Sequence, residues 1–144
     1  MEQSSTAATN SRRGLLPLGT ALVLAHFIIV VWHVMLLVKV QPHIPGLAIL
    51  ALILINLVPL GGLIAFARGF SKSASAMIFI PLGVALVIGV YSHFLSAGSD
   101  NVLRMPPSAL RLPFQVSAVL LALLEALGCW IALRMFTLRT EWQR

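Results

Sequence analysis

Cysteine is almost missing. Cys129 is the only one, which rules out an internal disulfide, a CxxC redox pair, a cysteine zinc site and the CxxCH that tethers a c-type haem. It lies inside an apolar run, where a free thiol behaves as a small hydrophobe. Acidic side chains are nearly as scarce: Glu2, Asp100, Glu125 and Glu141 are the whole set in 144 residues. Scattered in this way, they form no carboxylate cluster that could hold magnesium. A glycine-rich phosphate loop, HExxH and GxSxG are absent as well, which argues against phosphoryl transfer and hydrolysis. No internal repeat is visible, and no motif specifies a reaction.

Charge of either sign is sparse, at 10% of residues, while hydrophobic residues make up 59%. A soluble globule carries roughly 25% charged residues. A water-soluble protein of this length has too little interior to hide that much apolar surface, whereas a bilayer accepts it. The net charge of +6 invites a nucleic-acid reading, but the ten Lys and Arg residues form no stripe. They stand singly or in pairs at the edges of apolar runs, where such charges set orientation and meet anionic headgroups. Nucleic acid is therefore not an expected partner. The lipid bilayer is.

Four apolar segments are long enough to cross a hydrocarbon core, which takes about 20 helical residues. They cover roughly 16–38, 46–67, 76–96 and 114–136. Pro42 and Pro45 separate the first two, RGFSKSAS (68–75) the second and third, and SAGSDNVLRMPPSALRLP (96–113) the third and fourth. Arg12 and Arg13 precede the first run as in a signal peptide. That run is too long for a signal h-region and no small-residue cleavage site closes it, so it reads as an uncleaved span. Residues 1–14 read as a disordered cytoplasmic lead, 15–138 as the membrane bundle, and 139–144 as an interfacial tail with Trp142 at headgroup level. Pro59 with Gly61 and Gly62, and Pro81 with Gly83 and Gly89, read as ordinary membrane-helix kinks.

Orientation follows from the cations. Arg12, Arg13, Arg68, Lys72, Arg134, Arg139 and Arg144 fall on one side, and only Lys39, Arg104 and Arg111 on the other. Positive charge resists translocation, so both termini are expected in the cytoplasm. The expected fold is all-α: an integral, multi-pass, four-helix up-and-down bundle in a bacterial-type plasma membrane.

Polar residues inside the spans are costly and are where chemistry would reside. At about 1.5 Å of rise per residue, His26, Asn56 and Glu125 fall near the middle of spans one, two and four. Glu125 accepting from His26 or Asn56 would satisfy the set. Its functional reading is a proton relay or small-cation site. The plainer reading, a polar clasp that fixes helix packing, is the one the sequence favours.

A second set lies nearer the outer face: His33, Tyr91, His93 and Gln115. Gly19, Leu22, His26, Ile29 and His33 share one helix face, while Ala85, Gly89, Ser92 and His93 lie along another whose small residues permit close approach. His33 and His93 on facing helices would be candidate axial ligands for haem b; wetted interfacial histidines are the alternative. His43, in the turn QPHIPG, could join His33, His93 and Met105 at a copper or zinc ion, although the spacing does not resemble paired metal ligands. In the 96–113 loop, Ser99, Asp100 and Asn101 suggest a turn or cap, and Asp100 and Arg104 an i,i+4 pair. The apolar residues Val102, Leu103 and Met105 are expected on the membrane surface or against a partner. The first functional expectation is a non-enzymatic accessory or small structural subunit of a larger membrane assembly. A haem-b redox carrier and a small proton-coupled transporter stand beside it.

Overall fold

The computed structural model describes residues 2–40, 46–98 and 100–137, with side chains from residue 14 onward. The turn holding His43, Ser99 and the tail that includes Trp142 lie outside the described residues. Four α-helices form the described chain: α1 (Glu2–Val40), α2 (Gly46–Ala67), α3 (Ser71–Val90) and α4 (Arg111–Thr137). A π-helical turn, Tyr91–Leu95, extends α3. All four helices are long and apolar enough to span a membrane.

Helix α1 begins at Glu2, so the backbone of the lead, expected without structure, is drawn into the helix. The physical reason is cooperativity. The long apolar stretch supplies the nucleus, and extending an existing helix through Ala, Gln, Glu and Arg residues costs little. Helix α3 also starts earlier than the apolar run alone implied, because Ser71 and Ser75 are buried polar residues. The Ser75 hydroxyl donates to the Ala132 carbonyl of α4 at 2.8 Å, a polar tie between helices.

Consecutive helices run antiparallel. Gly19, near the start of the apolar stretch Gly14–Val40 of α1, meets Leu63 near the end of α2 and Met135 near the end of α4. The bundle closes in a ring, α1 on α2, α2 on α3, α3 on α4 and α4 on α1. Between α2 and α3 the chain reverses at Gly69, whose φ of 98° is a left-handed value that glycine adopts without penalty. The Phe70 amide donates to the Ala65 carbonyl and the Gly69 amide to the Phe66 carbonyl, the paired bonds of a Schellman cap.

Packing is uneven along the bundle. At the Gly69 end, Leu22, Leu63, Phe66, Ile78, Leu82 and Met135 belong to one continuous core. A smaller core at the other end joins Leu36, Val102, Met105, Phe114 and Ala118. The expected placement is thereby corrected for Val102 and Met105, while Leu103 stays exposed. Val102 and Met105 turn inward onto their own bundle, not toward the membrane surface or a partner.

Hydrogen bonds hold that loop down. The Val102 amide donates to the His93 carbonyl at 2.8 Å, and Gln115 Nε2 donates to the Val102 carbonyl at 2.7 Å. Asn101 Oδ1 accepts from the Leu103 and Arg104 amides, an Asx turn that fixes the bend. Among the described residues no ion pair joins Asp100 to Arg104.

Helix α2 behaves differently in its two halves. None of Gly46 to Ile55 is buried, whereas Asn56, Pro59, Gly62, Leu63 and Phe66 are. The change falls where the helix is weakest. Pro59 has no N–H for the Ile55 carbonyl, and the Asn56 side chain donates to the Leu52 carbonyl at 2.7 Å. The loosely packed half of α2 leaves room beside α1, α3 and α4.

Candidate functional site

Two polar groups occupy the bundle interior. The first joins α1 to α4: His26 Nε2 and Glu125 Oε1 lie 3.4 Å apart, both residues buried. That distance sits near the outer limit of a hydrogen bond. Asn56 does not complete the set. Its amide nitrogen is bonded within its own helix and its Oδ1 is buried without a partner.

The second group lies about two helical turns further along α1. His33 and His93 meet edge to face, with ring centroids 4.8 Å apart. Phe114 of α4 stacks on His33 at 4.7 Å and meets His93 edge-on at 5.7 Å. Each histidine is anchored through Nδ1. His33 Nδ1 lies 2.9 Å from Ser117 Oγ, and His93 Nδ1 lies 3.0 Å from the backbone carbonyl of Asp100. The other nitrogen of His33, Nε2, is buried and has no partner. An orphan of this kind costs about 1–3 kcal/mol, and native structures hold few of them.

Local structure explains how His93 reaches this position. It lies in the π-helical turn, whose wider winding is closed by the Ser96 amide donating to the Tyr91 carbonyl at 2.7 Å. Such single turns occur often at functional sites. The insertion ends α3 where the loop carrying Asp100 can return over the ring.

Beside these two groups the bundle holds a cavity of about 530 Å³ that is open along the exposed half of α2. Its walls come from all four helices, and much of its width comes from the small residues Ala48, Ala51, Ala85, Gly89, Ala118 and Ala122. Polar side chains reach it at few points: His33, His93, Ser92 and Asp100 at one end and Glu125 further in. Ala85 and Gly89 of α3 and Ser92 and His93 of the π-helical turn all contribute to this wall.

The remaining candidates separate. Tyr91 is exposed on the bundle exterior. Gln115 holds the loop through Val102 and does not line the cavity. Met105 is packed in the small core. Among the described residues, no group of three or more His, Cys, Asp and Glu side chains is placed to hold a metal ion.

A haem held between two imidazoles needs its iron-bound nitrogens about 4 Å apart, two bonds of about 2 Å, on opposite sides of a porphyrin plane. Here the two rings touch directly and Phe114 covers a face of His33. The pair does not fit a haem between them.

Phe114 and Ser117 are site residues that sequence reasoning passed over. Ser117 carries the only signal that could have found it: a serine one residue type out of place in an apolar helix, three residues from an aromatic. No protein-family model, no curated protein and no solved structure matches this chain.

Proposed function

We propose that this chain is a multi-pass membrane protein whose four-helix bundle holds a lipid-soluble small molecule in the cavity beside His33 and His93. The cavity carries the reading. Its volume of about 530 Å³ falls within the roughly 300–1,000 Å³ of small-molecule sites, and an apolar lining with a few convergent polar groups is their usual character. The small side chains of its wall keep the space open, and the loosely packed half of α2 offers a way in from the bilayer. A buried acceptor or donor left unmatched at one end is what an occupant would satisfy. The reading keeps the expectation of a non-enzymatic membrane subunit, with both termini cytoplasmic by its charge distribution, and gives that subunit a cargo.

The test is extraction. Protein purified in mild detergent is stripped with organic solvent, and the extract is examined by mass spectrometry. An apolar compound recovered at about one per chain is expected from the wild type, and much less from Ala122→Phe, which fills the space. Wild type that yields only detergent and bulk lipid, in the same proportions as Ala122→Phe, overturns the proposal.

A second reading has its own support. Glu125 lines the cavity and also meets His26, so occupancy of the cavity and proton exchange at the pair would be linked in a proton-coupled carrier. Glu125→Gln distinguishes the two. A binding protein keeps its ligand in this variant, and a proton-coupled carrier loses the pH dependence of uptake into vesicles.

A further inference from the structure

The hydrogen bonds around the two histidines favour one tautomer for each ring, and this points to the chemistry of the occupant. Ser117 has a single hydroxyl proton, and it is donated to the Phe114 carbonyl at 2.8 Å. With that hydrogen committed to Phe114, Ser117 Oγ accepts from His33 across the 2.9 Å contact, an assignment that puts the proton of neutral His33 on Nδ1. His93 is fixed in the same sense, because its Nδ1 faces a backbone carbonyl, which can only accept. Neutral His33 therefore carries a bare lone pair on Nε2.

For His33 that lone pair is buried and unmatched. The residue is 5% exposed and lines the cavity. Filling it requires a donor. A ketone, quinone or ester would bring acceptor oxygens against a lone pair, which repels them. A hydrocarbon would leave it orphaned.

Resting on the reading of the cavity given above, we infer that the occupant is a lipid-soluble alcohol or phenol whose hydroxyl donates to His33 Nε2. The rest of such a molecule lies among the small apolar side chains of the wall. Asp100 and Ser92 stand at the same polar end and can receive a second hydroxyl. Ser117 and Phe114 act as positioning residues: they touch no ligand and work by holding the His33 tautomer.

Matched probes test this. 4-Heptylphenol and 4-heptylanisole differ only in the donor proton, and decanol and decyl methyl ether form the aliphatic pair. Each is titrated against the purified protein in nanodiscs by thermal shift. The expected result is binding of a hydroxyl compound about tenfold tighter than its methyl ether, the worth of one well-placed hydrogen bond. Preference within the phenol pair or within the alcohol pair identifies the source. The difference should vanish in His33→Phe and shrink in Ser117→Ala, which frees the ring to protonate on either nitrogen.

Nitrogen-15 spectra of histidine-labelled wild type supply a readout that does not depend on the variants folding. They should show Nε2 of His33 unprotonated when empty and hydrogen-bonded when the phenol is bound. Ethers and hydroxyl compounds binding equally overturn this inference and leave the cavity reading standing. Binding of none of the four overturns both. Zinc alone displacing the phenol, with both Nε2 atoms shifted, overturns the inference in favour of a metal.

Discussion

His33 Nδ1 and Ser117 Oγ, 2.9 Å apart, tie the first helix to the fourth beside the cavity. The serine is fully buried and its hydroxyl donates to the Phe114 carbonyl, so the contact is one link in a short chain from ring to backbone. Interhelical hydrogen bonds in membrane proteins average about 0.6 kcal/mol. Removing one partner costs more, because the other is left buried and unmatched. Ser117→Ala should destabilise the bundle by about 1 kcal/mol, whereas Ser117→Thr keeps the hydroxyl and should lose less. Equilibrium unfolding in mixed detergent would measure both, and equal losses would refute the assignment.

The fold was legible because its main signal is composition. Runs such as 46–67 are long, apolar and closed by Pro or by charge, and α2 is Gly46–Ala67. Boundaries failed where a polar residue is buried between helices. Ser71 and Ser75 read as linker because hydropathy cannot distinguish a serine bonded to a neighbouring helix from one in water. Within the site, the seven-residue spacing of His26 and His33 is a helical property visible in any sequence, and both are buried on α1. Asn56 shows the limit. Similar depth does not bring side chains together when a short amide can bond its own backbone one turn back. The cavity depends on the loose packing of the first half of α2 as well as on small residues from several helices, a combination that no single stretch of sequence displays.

Neighbouring glycines in α2 should respond oppositely to the same change. A methyl group on Gly62 would fall 2.8 Å from Ile78 Cγ1 and 3.1 Å from the Ala74 carbonyl oxygen. That backbone atom cannot move away, and α2 and α3 would have to part. On Gly61 the one close neighbour is Met77 Cε at 2.9 Å, the end of a flexible side chain. Gly62→Ala should cost about 1–3 kcal/mol. Gly61→Ala should be neutral or slightly stabilising, because alanine is the better helix former by about 1 kcal/mol. Thermal unfolding of the two single variants compares them directly, and equal midpoints would show that helix contact here is looser than described.

The His26–Glu125 contact invites a double-mutant cycle. At 3.4 Å it is long, so its strength is a real question. Replacing Glu125 with Leu strands His26 in an apolar interior, and replacing His26 with Leu strands the carboxyl group. Losses from the single changes should each be about 2 kcal/mol, and the double change should cost less than their sum by at least 0.5 kcal/mol, roughly the coupling seen between groups that share a bond. Strict additivity would mean that the two side chains ignore one another.

Pro59 ties the packing of α2 to the cavity. With no N–H it leaves the Ile55 carbonyl without its usual helix partner, and Ile55 lines the cavity wall. Pro59→Ala supplies the missing donor, so the helix should continue through this point with its loose half drawn toward the bundle. Proline in a helix interior costs about 3 kcal/mol relative to alanine, a loss that neighbouring helices in a bundle partly offset. The substitution should therefore raise the unfolding midpoint while narrowing the space between α2 and its neighbours. Stability and ligand retention would then move in opposite directions. Measuring both on one preparation separates this from ordinary damage, in which both fall. If Pro59→Ala gains stability and retains as much apolar ligand as the wild type, the width of the cavity does not depend on the interrupted helix.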